Sequence, residues 1–291
     1  MIRVCIAGLG KTGKEIAKVL LEQDDINLVS AICSSNSDKK DKDLGEIIGC
    51  GDTGIILESS DNLEQVIFRT RPDVVVDFSS PEAALRNAKI FSSMKVNIVI
   101  GTTGFSKLSI KKLFVLAKKN HTGIVYAPNI TLGVNVLMLL TNLAANILND
   151  YDFQITEIHH KNKKDSPSGT AIKISAEIDK GLRSSGKGDE GSEIPIHAVR
   201  AGGVVGKHEV MIIGENDKIE ISHESFSRKA FALGAIHAIR FIAKKSGYFE
   251  MSDVLNLKKV LNDYLEKDGN SLNKKYVDYI PKSNKDFENW A

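Results

Sequence analysis

Cysteine is scarce in this chain of 291 residues, which has only Cys5, Cys33 and Cys50. Cysteines that are so few and so widely spaced exclude a disulfide framework, and none has the spacing of a zinc finger. An excess of charge of one sign is also absent, because 39 Lys and Arg residues nearly balance 37 Asp and Glu residues. A nucleic-acid surface needs a clustered basic excess, so no nucleic-acid partner is expected.

Long hydrophobic runs are absent as well. The most apolar stretch beyond the first strand-like run covers residues 134–140, far short of the ~20 residues that span a bilayer. Met1 leads directly into a strand-like run, without the basic and apolar regions of a signal peptide. No membrane partner is therefore expected, and a reducing cytoplasm is the simplest location.

Hydrophobic residues make up 42% of the chain and charged residues 26%, as in ordinary globular proteins. Up to about residue 128, short runs rich in Val and Ile alternate with amphipathic segments. This alternation predicts an α/β fold in which helices cover both faces of a Rossmann-type parallel sheet. The predicted strands are residues 2–7, 27–33, 73–78, 97–101 and 123–126, and the predicted helices are residues 14–23, 81–94 and 106–120.

The pattern changes after Pro128, where strands follow one another with few helices between them. This arrangement is typical of an α+β domain with a mixed or antiparallel sheet. We predict a dinucleotide-binding domain from residues 1–129 and 240–291, and a second, substrate domain from residues 130–239. The strands predicted here are residues 153–159, 194–200, 208–214 and 218–223, and the helices are residues 131–149, 170–183, 228–246 and 254–267. Composition also predicts a flexible surface loop at 184–191 and a loosely attached tail at 281–291.

A glycine-rich loop joins the first predicted strand to the first helix. In such a loop the first glycine permits the tight turn, the second lets a pyrophosphate approach, and the third lets helix and strand pack closely. Its position between a strand and a helix favours dinucleotide binding over a simple turn. The loop consists of Gly8, Leu9, Gly10, Lys11, Thr12 and Gly13.

The end of the second strand bears on the choice of nucleotide. A NAD-specific fold usually places a carboxylate there for the ribose hydroxyl, but this chain has Ser34 and Ser35 and no carboxylate before Asp38. Lys11 and Lys39 are candidate counter-charges for a 2′-phosphate, although ordinary surface lysines on a solvated loop explain the pattern equally well. The cofactor is therefore expected to be NADPH, NADH or both.

Two further segments leave strands on the same side as the glycine loop, where open parallel sheets bind ligands. Each segment alone reads as a turn, but together they favour a cofactor site. The candidate contacts are Gly101, Thr102, Thr103, Ala127, Pro128 and Asn129.

The stretch from residue 157 to residue 170 passes from a strand through a basic loop to a helix N-terminus. His159, His160 and several lysines, together with the helix-end amides near Gly169 and Thr170, make a receptor suited to a small dicarboxylate. A histidine also transfers protons near neutral pH. A solvated charge run is the simpler alternative, and no metal site is expected because adjacent histidines on a strand point to opposite faces.

The sequence Glu-Ile-His-His-Lys-Asn-Lys-Lys-Asp-Ser-Pro-Ser-Gly-Thr-Ala at 157–171 resembles the signature of the dihydrodipicolinate reductase family. The similarity extends from the glycine loop to about residue 255. It implies NAD(P)H-dependent reduction of 4-hydroxy-tetrahydrodipicolinate to tetrahydrodipicolinate, in the diaminopimelate route of lysine biosynthesis. It also implies a homotetramer joined through the sheet of the domain at residues 130–239, which makes this a substrate-binding and oligomerisation domain. Further matching motifs are Val76-Asp77-Phe78-Ser79, Gly101-Thr102-Thr103-Gly104-Phe105, Gly133-Val134-Asn135-Val136, residues 200–206 and residues 231–235.

The resemblance also implies a role for individual residues. His159 matches the family's proton donor and acceptor, Lys163 its second catalytic donor, and His160, Gly169 and Thr170 its binders of the substrate carboxylate. Two departures concern the cofactor: the glycine loop is one residue shorter than the usual GxxGxxG, and Cys33-Ser34 replaces an acidic–basic pair. The positions that match cofactor contacts are Gly8 to Gly13, Gly101 to Thr103, and Ala127 to Ile130.

Two alternatives remain open from the sequence. One is a related reductase acting on another small carboxylated imine or amino acid. The other is a nucleotide-binding regulator without catalysis, which the presence of both His159 and Lys163 disfavours.

Overall fold

A computed structural model describes residues 1–186, 194–257 and 259–263. Met1–Val254 forms one compact unit, and Leu255–Ala291 forms a second. The predicted tail at 281–291 and most of the predicted loop at 184–191 lie outside the described residues, as does the end of the predicted helix 254–267.

The described chain alternates strands and helices in its first half and groups strands together in its second. The strands are β1 (Ile2–Ala7), β2 (Ile26–Cys33), β3 (Leu57–Ser59), β4 (Val74–Asp77), β5 (Asn97–Ile100), β6 (Gly123–Tyr126), β7 (Asp152–His159), β8 (Ile196–Arg200), β9 (Lys207–Ile213), β10 (Lys218–Glu224) and β11 (Gly247–Phe249). The helices are α1 (Lys11–Leu21), α2 (Leu44–Ile48), α3 (Leu63–Thr70), α4 (Pro81–Ser93), α5 (Lys107–Asn120), α6 (Leu132–Ile147), α7 (Gly169–Ser184), α8 (Lys229–Ile242) and α9 (Met251–Val254), with a 3-10 turn at Ser60–Asn62.

The first sheet has seven parallel strands in the order β11-β6-β5-β4-β1-β2-β3. All four residues of β4 are buried, as expected for a strand with helices on both faces. The predicted Rossmann-type sheet is confirmed. Five short elements, α2, β3, α3, β11 and α9, were not predicted, and neither was the 3-10 turn at Ser60–Asn62.

The helices α4 and α5 of this layer begin at serine caps. Ser80 accepts a hydrogen bond from the Ala83 amide at 3.2 Å, and Pro81 occupies the first turn of α4. Ser106 caps α5 in the same way, through the Ser109 amide. These caps place the starts of α4 and α5 shortly after the carboxyl ends of β4 and β5.

The second sheet has four strands in the order β10-β9-β7-β8. The strands β7 and β8 are parallel, whereas the other pairs are antiparallel, so the predicted mixed sheet is confirmed. Burial alternates along β7, and the buried residues Phe153 and Ile155 belong to a core shared with α6 and α7. The same alternation places Glu157 and His159 on the covered face.

The chain returns to the first sheet after the second, because β11 pairs with β6 and α8 packs on α1. The division into 1–129 with 240–291 and 130–239 stays a prediction, and its boundary at residue 240 falls inside α8. No helix in the described ranges is both long and apolar enough to cross a membrane.

Candidate active site

A cavity of about 630 Å³ opens at the carboxyl ends of the first-sheet strands and reaches the end of β7. It is the size of a small-molecule or cofactor site. It brings together most of the residues that the sequence indicates. Those on its wall are Gly10, Lys11, Thr12, Gly13, Gly101, Thr102, Thr103, Pro128, Asn129, Ile130, His159, His160, Lys163 and Thr170.

Five predicted site residues do not line this cavity: Gly8, Leu9, Ala127, Gly169 and Ser34. The first four are chain neighbours of residues on the wall or belong to the glycine loop. Ser34 instead is exposed directly after β2, on the loop that leads towards Lys39.

The glycine loop has no room for a side chain at Gly8 or at Gly13. Gly8 has φ +89°, and a Cβ there would lie 2.6 Å from the carbonyl carbon of Phe78. A Cβ at Gly13 would lie 1.9 Å from the carbonyl oxygen of Gly8. The loop therefore depends on glycine at both positions for its shape.

The N-terminus of α1 fits an anionic group. No described side chain caps Gly10, and the first turn of α1 carries no acidic residue. Its amides and the positive end of its dipole are thus turned to the wall formed by Gly10 to Gly13. This is the environment that a dinucleotide pyrophosphate requires.

Phe78 forms part of the wall between the glycine loop and β5. A Cβ at Gly101 would lie 2.0 Å from the Phe78 ring, so only glycine leaves room for this ring. The loop after β4 is held by the buried carboxylate of Asp77, which accepts hydrogen bonds from the Ser79 amide and from Asn87. Burial raises the pKa of Asp77, although these hydrogen bonds partly oppose the rise.

Lys39 reaches the glycine loop from the segment after β2. Its Nζ donates to the carbonyl oxygen of Leu9 at 2.8 Å. This contact places one of the two predicted counter-charges beside the loop, close to the strand end that carries Ser34.

His159 ends β7 with its ring against the cavity. Its Nδ1 is hydrogen-bonded to the Glu157 carboxylate, and a Cβ on Gly206 would lie 3.0 Å from Nε2. Burial lowers the pKa of His159, and the nearby Glu157 carboxylate offsets only part of this change. The imidazole therefore favours its neutral form near neutral pH.

His208 stands beside His159, with 5.2 Å between the ring centroids. Its Nε2 lies 3.1 Å from the hydroxyl of Ser168, and burial lowers its pKa to about 3. A neutral imidazole therefore lies against the His159 ring on this side. In the part of the chain that the structure describes, no three His, Cys, Asp or Glu side chains are grouped to hold a metal ion.

Lys163 places an ammonium group on the cavity wall. Its Nζ lies 2.9 Å from a carboxylate oxygen of Asp165. Burial alone would raise the pKa of Asp165, but the hydrogen bond and charge of Lys163 keep it below its ordinary value. This ion pair orients the ammonium group at the mouth of the cavity.

A hydrogen bond between Thr170, in the first turn of α7, and Asn129, in the loop after β6, links the parts of the chain that follow β7 and β6, one strand of each sheet. The Thr170 hydroxyl donates to Asn129 Oδ1 at 2.8 Å, while Asn135 donates to the Asn129 carbonyl oxygen at 2.8 Å. The buried Nδ2 of Asn129 has no hydrogen-bond partner among the described residues. A buried amide donor on a cavity wall suits a ligand oxygen.

Family comparisons agree with this geometry. The model described as "Dihydrodipicolinate reductase, N-terminus" matches residues 2–130, and that described as "Dihydrodipicolinate reductase, C-terminus" matches residues 133–255. The chain belongs to the dihydrodipicolinate reductase family.

Relatives of known name match almost end to end. The 4-hydroxy-tetrahydrodipicolinate reductase of Methanococcus aeolicus is 43% identical, over 88% of this chain and 99% of that protein. The enzyme of the same name from Methanocaldococcus jannaschii is 41% identical, over 89% of this chain and 99% of that protein. A solved dipicolinate-bound dihydrodipicolinate reductase from Paenisporosarcina sp. TG-14 superimposes with TM-score 0.70 at 29% identity, covering 86% of this chain and 97% of that chain.

The reductase cavity also has wall residues that were not among the predicted site residues. Several come from the β9–β10 hairpin and the loop before α8. His208 and His223 face each other in the antiparallel register of β9 and β10. The sequence could have indicated this pair of histidines only if the pairing of the two strands had been known. The additional wall residues are Phe78, Ser79, Ser80, Pro81, Thr131, Val134, Val205, Gly206, His208, His223, Ser225, Arg228 and Phe231.

Proposed function

We propose that this protein reduces 4-hydroxy-tetrahydrodipicolinate to tetrahydrodipicolinate with a reduced pyridine nucleotide. The observation that carries the proposal is that one cavity wall combines the glycine loop with His159, His160 and Lys163. The relatives that bear this enzyme's name match over nearly the whole of their length. In the net reaction, hydride replaces the hydroxyl group, which leaves as water with one proton.

The nucleotide half of the site lies at the first sheet. A bound pyridine nucleotide supplies the hydride. The amides of Gly10 to Gly13 hold its pyrophosphate at the N-terminus of α1. The loops after β5 and β6 complete the site through Gly101 to Thr103 and Ala127 to Ile130.

The substrate half lies at the end of β7 and the start of α7. His160, Thr170 and the amide of Gly169 bind a substrate carboxylate, helped by the positive end of the α7 dipole. His159 takes up a proton on Nε2 to become an imidazolium and then donates it as the proton that the net reaction consumes, and Lys163 is the second donor. Orientation and charge neutralisation are the other contributions of these residues.

A direct assay tests the proposed reaction. Purified protein should oxidise NADPH when supplied with freshly generated 4-hydroxy-tetrahydrodipicolinate, and should not do so without it. Imines of other small carboxylic acids, assayed at the same concentrations, test the alternative substrate class. Faster turnover of one of those imines than of 4-hydroxy-tetrahydrodipicolinate would contradict this proposal. The absence of turnover with every compound tested would contradict it as well.

The cofactor preference is expected to favour NADPH or to allow both nucleotides. Lys39 beside Leu9 offers a cation near the β2 end, and a charge-assisted hydrogen bond to a 2′-phosphate is worth ~1.5–3 kcal/mol. Lys39→Ala should therefore raise the KM for NADPH by roughly 10- to 150-fold and leave the KM for NADH unchanged. Steady-state kinetics with both nucleotides at matched ionic strength measure this.

A matched lysine serves as control for that measurement. Lys42 pairs with Glu46 at 3.6 Å on the same stretch of chain, so Lys42→Ala should leave both KM values unchanged. Equal losses with NADPH and NADH in Lys39→Ala would show that Lys39 supports the loop without reading the 2′-phosphate.

The second sheet is proposed to form the contact of a homotetramer. One of its faces packs on α6 and α7, whereas the other carries the apolar residues Ile158, Val199 and Met211 with no described layer over them. Met211→Lys, at the centre of that face, should dissociate the tetramer in light scattering. Leu108→Lys, at a 62% exposed position on α5, should not. A monomer of unsubstituted protein at micromolar concentration would rule out the tetramer.

A further inference from the structure

Glu157 is fully buried beside the proposed proton donor, with 0% of its side chain exposed. Arg200 donates to both of its carboxylate oxygens, to Oε1 at 2.6 Å and to Oε2 at 2.9 Å. The Ser168 amide donates to Oε1 at 3.0 Å, and Oε2 also meets His159 Nδ1. All four contacts involve a carboxylate that is not on the cavity wall.

The fold explains why these groups meet. Period-two alternation puts Glu157 and His159 on the same face of β7, and the parallel register with β8 sets Arg200 directly beside His159. A buried carboxylate destabilises the fold unless it is paired with a cation and hydrogen-bonded. A bidentate arginine provides both the charge and the hydrogen bonds. Arg200 is itself held by the carbonyl oxygens of Val199 and Asp165, at 2.8 and 2.7 Å.

We propose that Glu157 and Arg200 are a positioning pair that fixes the tautomer and the basicity of His159. Glu157 accepts a hydrogen bond from the Nδ1–H group, so Nε2 is the nitrogen presented to the cavity. Arg200 shares the carboxylate charge and thereby limits how strongly Glu157 attracts a proton to the imidazole. The inference rests on the proposed role of His159 and extends it to two residues that touch no ligand.

The absence of a side chain on Gly206 fits this orientation. A Cβ there would lie 3.0 Å from Nε2 and 3.4 Å from Cδ2 of His159. Nε2 thus faces a wall position that carries no side chain, while Nδ1 is covered by Glu157. The hydrogen bond on one nitrogen selects the other for proton transfer.

Glu157 and Arg200 shift the pKa of His159 in opposite directions. Burial lowers its pKa, the Glu157 carboxylate raises it, and Lys163 and Arg200 lower it. Hydrogen bonds from Arg200, His159 and Ser168 outweigh burial and hold the pKa of Glu157 below its ordinary value. Removing Glu157 should therefore lower the pKa of His159, and removing Arg200 should raise it. The other titratable groups near this face are His160, Asp165, His208 and His223.

Opposite shifts in two variants test the proposal. In the full-length protein, ring ¹⁵N NMR titration should show Nδ1–H as the neutral tautomer of His159, assigned by its loss in His159→Gln. Glu157→Gln should lower the His159 pKa by about one unit and mix its tautomers, whereas Arg200→Gln should raise it. The alkaline limb of the kcat profile should move the same way in each variant, with the KM for NADPH unchanged.

Controls separate positioning from general damage. Glu177 pairs with Lys180 at 3.7 Å on α7, so Glu177→Gln makes the same chemical change outside the cavity and should shift nothing. If Arg200→Gln does not fold, Arg200→Lys should give a smaller shift in the same upward direction. An unchanged His159 pKa in Glu157→Gln, or shifts of one sign in both variants, would overturn the pair. NMR shifts without any change in the kcat profile would support the pair but contradict the proton-donor role of His159.

Discussion

The His159→Ala variant is expected to lose roughly 100-fold or more of kcat, the scale of a lost acid–base group. The reason is that no other described side chain on this wall combines a free imidazole Nε2 with a buried carboxylate behind it. Lys163→Ala should lose a comparable factor because it removes the second donor. Both variants should bind NADPH normally, since neither residue contacts the glycine loop. Steady-state kinetics and fluorescence titration with NADPH measure the two quantities.

His237→Ala is the matched control, because His237 is exposed on α8 and does not line the cavity. It should retain full activity. Near-normal turnover in both His159→Ala and Lys163→Ala would show that this segment binds substrate without transferring protons.

Gly13→Ala is expected to weaken nucleotide binding strongly. Its Cβ would stand 1.9 Å from the Gly8 carbonyl oxygen, a backbone atom that cannot turn aside as a side chain does. The loop must open, which loses charge-assisted hydrogen bonds to the pyrophosphate worth ~1.5–3 kcal/mol each. We therefore expect the Kd for NADPH to rise roughly 10- to 150-fold or more. Overpacking should also lower the free energy of unfolding by about 1–3 kcal/mol.

Gly203→Ala provides the comparison for that variant. No atom lies within 4 Å of a Cβ at Gly203, and its backbone is not left-handed. It should match the unsubstituted protein in calorimetric binding and in thermal unfolding. If Gly13→Ala bound NADPH as tightly as Gly203→Ala does, the proposed nucleotide cradle would be wrong.

Much of the fold could be predicted because its strands are strongly apolar and because serines cap the helices α4, α5 and α7. The predicted strands at 2–7 and 123–126 coincide with β1 and β6. The elements that were missed are short. A strand of three residues such as Leu57–Ser59 has too few positions to show a period, and its partner strand decides its conformation.

The candidate site divides in a similar way. Residues within one continuous motif, such as His159, His160 and Lys163, were predicted because their spacing is visible in the chain. Glu157 opens the same motif, yet its link to Arg200 depends on the register between β7 and β8, which are separated by a helix. His223 likewise reaches the wall only through its pairing with β9. Strand register between distant segments is what the sequence pattern did not contain.

Transfer of isotope from nucleotide to product tests the central claim most directly. The protein would be mixed with freshly generated 4-hydroxy-tetrahydrodipicolinate and NADPH carrying deuterium at the transferable position of nicotinamide C4, and the product analysed by mass spectrometry and NMR. The account predicts tetrahydrodipicolinate with one deuterium on the ring carbon that bore the hydroxyl group, and roughly 100-fold less deuterium transfer with His159→Ala at equal times. A product that keeps its hydroxyl group, or a ring without deuterium, would contradict it.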